Sequence, residues 1–335
     1  MLVLGVESTC DETSAAIVRS GKEIVSHVIF SQADQHDVFG GVVPELASRF
    51  HIETIIPVIS QAIAEAKVLL EEIDLVAVAS GPGLIGSLLV GMQTAKAMAW
   101  AMDRPLIGVN HVEAHLYAAL MNCEHLEKHL PALGVVLSGG HSTMLLIEDV
   151  GVYHLIGQTV DDAVGEAFDK VAKMLKLGYP GGPHVEQRAR QGNPLAFPFQ
   201  AGRVKGSKHS FSFSGLKTAV LYTIQNLEKN EPLSSQQIAD LCASFQHAAF
   251  SDLNKKIRSA CSVHSPKAIF LGGGVTRNAR LREVIQSHID LPLFWPEPQL
   301  CLDNAAMIAG LGYHTWLREQ RDERLTLEPQ TRISW

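Results

Sequence analysis

The sequence predicts an α/β protein of two domains, each opened by a β-hairpin. A chain of 335 residues accommodates about two domains at ~150 residues each. The pattern of apolar strand, small polar turn and return strand occurs twice. It runs LVLGVE, STCDETS, AAIVRS at the start and Ala132–Leu137, SGGH, Ser142–Ile147 near the middle. After each copy, segments of helical periodicity alternate with short buried apolar runs, the signature of layered α/β architecture. The two copies share no detectable identity. A duplicated hairpin start suggests two halves closing around a nucleotide.

Hydrophobic residues make up 46% of the chain and charged residues 19%, the balance of a globular protein with a substantial core. Five scattered cysteines, odd in number and without a C-x-x-C, read as reduced cytoplasmic thiols. MLVLGVEST has no basic region before its apolar residues, so a signal peptide is not expected. The most apolar helix, Leu84 to Met102, is interrupted by Gln93, Thr94 and Lys96 and falls short of a membrane span. A net charge of −7 means that nucleic-acid binding would need a local basic patch.

In the first half, Glu23 to Phe30 adds a third antiparallel strand to the opening hairpin. The turn between the first two strands carries Ser8, Thr9, Asp11, Glu12 and Thr13. These are ordinary turn residues, or a loop whose amides face a phosphate. Pro44 to Val68 has helical periodicity with Pro57 inside, so one kinked helix or two are expected. Asp74 to Ala79 is a buried strand, SGPGLIGS follows, and a Gly/Ala-rich helix runs to Met102. Such a helix packs tightly inside its domain or against a partner.

The second half follows the same logic. In SGGH, Ser138, Gly139 and Gly140 could present amides to an anion, although Gly-Gly turns are common without one. Asp161 to Leu177 is an amphipathic helix capped by Asp161 or Asp162 and ended by Gly178. From Gln187 to Leu227 there is no acid. Arg188, Arg190, Arg203, Lys205, Lys208 and Lys217 lie there with Phe197, Phe199, Phe211 and Phe213. That mixture either meets an RNA backbone and stacks bases, or its phenylalanines are core. Ser234-Ser235 caps a long helix to Cys261. The strand Ala268–Leu271, GGGVTRN and a helix from Ala279 form a glycine-rich strand–helix turn suited to a nucleotide. Leu291 to Trp295 reads as another strand.

NHVEAHLY carries the sharpest chemistry. Asn110 caps a helix on which His111 and His115, four apart, share one face and converge on a metal. A third ligand is offered by Asp303, which with Asn304 caps a small-residue helix. Metallopeptidases of the zincin type place Glu directly after the first His. Here that position is Val112, and Glu113 is turned to another face. The ligands are present without the hydrolytic base, which argues for a metal that holds and polarises a substrate.

GVESTCDETS, FGGVVPELASR, SGPGLIGSLLVG, NHVEAHLYA, LSGGHS, FDKVAK, YPGGP, FSFSGLKTAV, GGGVTRNARLR and CLDNAAMIA together resemble the TsaD/Gcp family. These are tRNA threonylcarbamoyladenosine transferases once labelled O-sialoglycoprotein endopeptidases. The match spans nearly the whole chain; Phe39 and Leu302 depart from the family pattern conservatively. The resemblance implies an actin/hexokinase/Hsp70-like fold of two α/β domains facing a cleft. On that reading residues 1–130 form the first domain, with 304–335 packing back on it, and 131–303 form the second. It implies a metal on His111, His115 and Asp303, Fe(2+) favoured and Zn(2+) the alternative. It implies adenylate contacts from Val136, Leu137, Ser138, Gly139, Gly140, Asp169, Gly182, Glu186 and Asn278.

The implied reaction moves a threonylcarbamoyl group from its adenylate to the exocyclic amine of the adenosine 3′ of the anticodon, in tRNAs reading codons that begin with A. Such a donor needs orientation, charge stabilisation and removal of one proton. Asp11 is the candidate to take or relay that proton, and His141 to polarise the carbonyl or orient the adenylate. Implied partners are a TsaB-like paralogue and a TsaE-like P-loop ATPase. The helices Pro44–Val68 and Ile85–Met102, Ala62 and Ala66 included, are the expected contact surface, with self-association there when the paralogue is absent. The rival readings are a metallopeptidase built on the two histidines and a sugar-kinase-like ATPase of the same fold.

Overall fold

The computed structural model describes residues 1–229 and 231–332. The chain divides into two compact units: Met1–Leu126 with Asp149–Val152 and Pro296–Trp335, and Glu127–Glu148 with Tyr153–Trp295.

In chain order the first unit begins with β1 (Leu2–Glu7), β2 (Glu12–Arg19) and β3 (Glu23–Ser31), an antiparallel meander. Helices α1 (Ala33–Asp37) and α2 (Pro44–Ala66) follow, then β4 (Leu75–Gly81), α3 (Ile85–Ala101), β5 (Leu106–Asn110) and α4 (His111–Leu120). β1 lies at the centre of the sheet β3-β2-β1-β4-β5, antiparallel to β2 and parallel to β4. β4 and the core of β1 are buried on both faces, which is why they read as unbroken apolar runs rather than alternating ones. Pro57 sits inside α2, and the helix continues through it as a single element. Its missing N–H removes one backbone bond and does not end the helix.

The second unit holds β6 (Ala132–Leu137), β7 (Ser142–Asp149) and β8 (Val152–Gln158), again a hairpin with an added strand. α5 (Val164–Met174), α6 (Gly181–Ala189), α7 (Ser214–Leu227), α8 (Ser235–His264), β9 (Ile269–Gly272), α9 (Ala279–Gln286) and β10 (Leu293–Phe294) complete it. The sheet order is β10-β9-β6-β7-β8, with β6 antiparallel to β7 and parallel to β9. This is the order of the first sheet repeated strand for strand. α10 (Ala305–Glu319) belongs to the first unit and packs on β1, β2, β4 and α4.

Several expectations need correction. α5 starts at Val164 with Ala163 before it, so neither Asp161 nor Asp162 caps it. Asp161 instead accepts from the amides of Phe213 and Ser214 at 2.8 and 3.2 Å and so satisfies the start of α7. Asp162 pairs with Lys170 and Lys217, both at 2.7 Å. Phe211 and Phe213 are fully buried core residues and cannot stack on bases, while Phe197 and Phe199 pack half-buried against the same core. The run Leu291–Trp295 shortens to the two-residue β10. Ala62 is fully buried beneath β3, its carbonyl accepting from Ser26 Oγ at 2.6 Å. It is therefore no surface position; the exposed large apolar side chains of α2 and α3 are Ile52, Ile56, Ile85, Leu89 and Trp100.

α10 approaches the sheet closely because both surfaces are small there. A Cβ on Gly5 would collide with the Ala305 carbonyl oxygen and lie 2.9 Å from Ala309 Cβ. A Cβ on Gly312 would meet Ala77 Cβ at 2.5 Å. Overpacking a tight interface of this kind costs ~1–3 kcal/mol. Gly5→Val is expected to lower the unfolding free energy by about that amount or more, measured by denaturant titration. Unchanged stability would mean that α10 does not seat on β1 as described.

Candidate metal centre and nucleotide site

The first cluster is built where three elements of the first unit end. β5 runs into α4, and Asn110 caps the helix, its Oδ1 accepting from the amides of Val112 and Glu113 at 2.9 and 3.2 Å. His111 and His115 then face the same way, rings 4.6 Å apart and nearly perpendicular. Asp303 arrives just before α10. The expected cap role of Asp303 falls entirely to Asn304, whose Oδ1 accepts from Met307 N at 3.0 Å. Asn304 Nδ2 also donates to the carbonyls of Leu300 and Leu302, and Ser14 Oγ accepts from Ala305 N. With the helix start satisfied by others, the Asp303 carboxylate is left to the histidines. Its Oδ1 lies 3.0 Å from His115 Nε2 and 3.5 Å from His111 Nε2.

Those separations suit a shared metal ion. Bonds of ~2.0–2.2 Å to nitrogen and oxygen place tetrahedral ligand atoms roughly 3.4 Å apart, and the three ligand atoms here lie within 4.8 Å of one another. The donor chemistry, two imidazoles and a carboxylate, fits a divalent transition metal. Support behind the ligands is present on one side. His111 Nδ1 lies 2.9 Å from Glu7 Oε2 and 3.3 Å from Thr9 Oγ1. A carboxylate only accepts, so Nδ1 carries a hydrogen, and Nε2 is the nitrogen turned to the site, its lone pair free once the ring is neutral. Glu7 is fully buried at the end of β1, and its other oxygen accepts from Thr9 N at 2.6 Å. Sequence reading missed Glu7. Its signal was an acid closing an otherwise apolar strand.

Electrostatics favour a cation. Burial opposes charge on His111, but Glu7 and Asp303 outweigh it and raise its pKa well above the ordinary histidine value. Burial likewise opposes charge on Asp303, and His111 and His115 outweigh it, holding its carboxyl well below the usual range. In Glu12, burial and then the charges of Asp11 and Asp303 raise the pKa well above normal, and Asp11 is hydrogen-bonded to it. Burial, followed by Asp11, pushes the Cys10 thiol up.

The turn after β1 is fastened by its own hydroxyls. Ser8 Oγ donates to Ser87 O at 2.9 Å, and Thr13 Oγ1 pairs with His51 Nδ1 at 2.7 Å. His51 Nε2 donates to Cys10 O at 3.0 Å. The hydroxyls are thus structural, leaving Asp11 and Glu12 as the turn's chemical groups. His51, on α2, was also not foreseen. Val112, where a hydrolase of the zincin type would have its base, is a buried core residue.

The second cluster lies in the second unit. Ser138 closes the turn after β6: its N donates to His141 O at 2.8 Å and its Oγ accepts from His141 N at 3.1 Å. Gly139 and Gly140 are exposed, with open space where a Cβ would stand. The start of α5 abuts this turn. A Cβ on Gly165 would lie 2.6 Å from Ser138 O and 2.8 Å from Gly139 Cα. Gly273, at φ +91°, backs onto the end of β6, where a Cβ would lie 2.5 Å from Leu137 O. Glycine amides beside a helix N-terminus form an anion-binding concavity.

The remaining expected adenylate residues join the same set. Val136 and Leu137 are the buried end of β6. Asp169 Oδ1 accepts from Gly181 N at 2.8 Å at the start of α6, and Gly182 beside it has open space at its Cβ position. Glu186 Oε1 accepts from Ala279 N at 3.0 Å, tying α6 to the start of α9. Asn278 caps α9 and donates from Nδ2 to Gln246 Oε1 at 2.9 Å. Asp169, Glu186 and Asn278 therefore hold helix starts, while Gly139, Gly140 and Gly182 leave them approachable.

Comparison with known proteins places this geometry. A family model described as TsaD, tRNA N6-adenosine threonylcarbamoyltransferase, matches residues 23–310. A protein of that name from Protochlamydia amoebophila is 57% identical over 336 residues, covering 99% of this chain and 98% of the relative. One from Symbiobacterium thermophilum is 48% identical, covering 94% and 92%. Among solved structures, T. kodakarensis HypF aligns with TM-score 0.63 at 15% identity over 97% of this chain and 49% of that one. The ROK hexokinase of Thermus thermophilus aligns with TM-score 0.50 at 15% identity over 96% and 99%. These two show the fold alone, and it is the actin/hexokinase-like one that the motifs implied. The motifs, the repeated sheet order and the full-length relatives agree: the chain belongs to the family of tRNA N6-adenosine threonylcarbamoyltransferases.

Proposed function

We propose that this transferase takes its threonylcarbamoyl group from threonylcarbamoyl-adenylate. It delivers the group to the exocyclic amine of the adenosine 3′ of the anticodon, in tRNAs reading codons that begin with A. The observation that carries the reading is the group of buried His111 and His115 with half-buried Asp303, and apolar Val112 at the hydrolase's base position. Such a site suits a donor whose leaving group is already good and whose needs are grip and orientation. His111, His115 and Asp303 would hold one transition metal, iron(II) in preference to zinc. When bound, the metal supplies a Lewis acid for the donor's oxygens.

The chain's own residues do the rest. Gly139 and Gly140, with the start of α5, receive the adenylate phosphate through backbone amides. Gly182, Glu186 and Asn278 bound its nucleoside side. Asp11, hydrogen-bonded to Glu12, accepts the proton that leaves the attacking amine. His141, held by Ser138, orients the adenylate. A TsaB-like paralogue docks on the exposed apolar face of α2 and α3, and a TsaE-like ATPase completes the assembly in the cytoplasm. Without the paralogue, that face pairs with a second copy of the chain.

Three outcomes are expected. His111→Ala with His115→Ala abolishes metal content by elemental analysis while circular dichroism keeps the fold, and Glu7→Gln weakens metal affinity about 10–100-fold. Unchanged metal in the double variant would remove the site. Purified protein with its partners, threonylcarbamoyl-adenylate and unmodified tRNA yields threonylcarbamoyladenosine on nucleoside mass spectrometry, and Asp11→Ala lowers the yield with metal content intact. Metal-dependent cleavage of a protein substrate without any modified nucleoside would favour the peptidase. Ile52→Glu with Ile56→Glu, at positions 64% and 56% exposed, dissociates the heterodimer on sizing without loss of helix content. Assembly unaffected by both changes would move the interface elsewhere.

A further inference from the structure

The second unit carries a cationic cavity that the chemistry above does not use. It has a volume of about 280 Å³ and is lined by Lys176, Leu177, His184, Gln187, Arg188 and Gln191. At ~30 Å³ per water it has room for a hydrated phosphate with part of its sugar. The lining follows from local geometry. His184, Gln187, Arg188 and Gln191 are spaced i, i+3, i+4, i+7, one stripe of α6 continued past its end. Lys176 faces them from the left-handed position, φ +56°, at which the chain leaves α5.

No acid lines this cavity, and Glu186 and Asp240 have other partners. Glu186 accepts from Ala279 N at 3.0 Å and pairs with Arg190 at 3.5 Å. Asp240 accepts from Asn193 N at 2.7 Å and Gln236 Nε2 at 2.9 Å. Among the described residues, neither Lys176 nor Arg188 has an ion-pair partner. Two unpaired cations, an imidazole and two amides around one hollow is an unusual concentration in a chain of net charge −7. Arg, Lys and Gln are also the side chains that grip phosphates in nucleic-acid complexes.

We propose that this cavity is a phosphate-binding site for the RNA backbone of the tRNA substrate, away from the base that is modified. The inference rests on the tRNA reading above and adds where the substrate's backbone is gripped. The shared chemistry is a phosphate anion, which a free nucleotide or inorganic phosphate could also supply, and the test separates these sources.

Lys176→Gln with Arg188→Gln should raise the Kd for unmodified tRNA by about tenfold at ~0.1 M salt and lower the salt slope by about 1. Arg188→Lys should retain the slope. AMP affinity by calorimetry and metal content should not change, since neither set of residues is touched. An unchanged Kd and slope in the double variant, with wild type binding tRNA normally, would overturn the cavity's role and leave the transferase reading standing. A wild type with no salt-dependent tRNA affinity would overturn both. Inorganic phosphate, followed by the His184 ring resonances, is the remaining arm. If the double variant loses phosphate binding yet keeps tRNA affinity, the site serves a small anion and the RNA assignment is wrong.

Discussion

The contact on which the first unit's chemistry depends is the one between Glu7 and His111. Glu7 is fully buried, and an unpaired carboxylate in that position would be driven to neutralise. It is satisfied by Thr9 N on one oxygen and His111 Nδ1 on the other. That pairing joins the end of β1, the following turn and the start of α4. It also fixes which imidazole nitrogen is available to Asp303. Asn304 completes the arrangement by taking the helix-cap role that Asp303 would otherwise have filled. The site therefore rests on two side chains that never enter it.

The two sheets have the same strand order, yet their first turns have opposite characters. The turn after β1 is bound down through Ser8, Thr13 and His51 by α2 and α3. Gly83, where a Cβ would lie 2.7 Å from Thr9 O, lets the segment before α3 reach it. The turn after β6 is closed through Ser138 and His141, and leaves two glycines open. A closed turn suits fixed acids; an open one would suit a ligand's phosphate, as proposed above. One architecture thus carries two turns of different build, as expected when function resides in sites and not in the fold.

The parts legible in the sequence were those set by local periodicity and spacing. The meander of β1 to β3, the hairpin of β6 and β7, the Asn110 cap and the i, i+4 histidines all follow from neighbours along the chain. What was not legible depended on partners far away in it. Asp161 looked like the cap of the next helix, but it serves α7 some fifty residues on, at |i−j| = 52 to Phe213. Phe211 and Phe213 sat among basic residues and invited a stacking role, and only the packing of the second unit makes them core. Ala62 belonged to an amphipathic-looking helix whose buried side could not be chosen without knowing where β3 lies. Glu7 and His51 stayed hidden because a single acid or histidine in an apolar stretch has no periodic signature.

Charge balance shows what the first cluster attracts. Glu7 and Asp303 touch the two imidazoles directly, and Asp11 and Asp303 sit close enough to Glu12 for their charges to be felt there. Four carboxylates against two imidazoles leave an excess of negative charge in a largely buried region. Protons relieve part of it: His111 is held charged by its two acids, and Glu12 is pushed toward its neutral form, burial first and then Asp11. A divalent cation on the three ligand atoms would relieve more of it and displace the proton from His111, so metal and proton compete for the same site. Placing that positive charge beside Asp303 would also ease ionisation of Glu12, whose neutral form burial, Asp11 and Asp303 together favour.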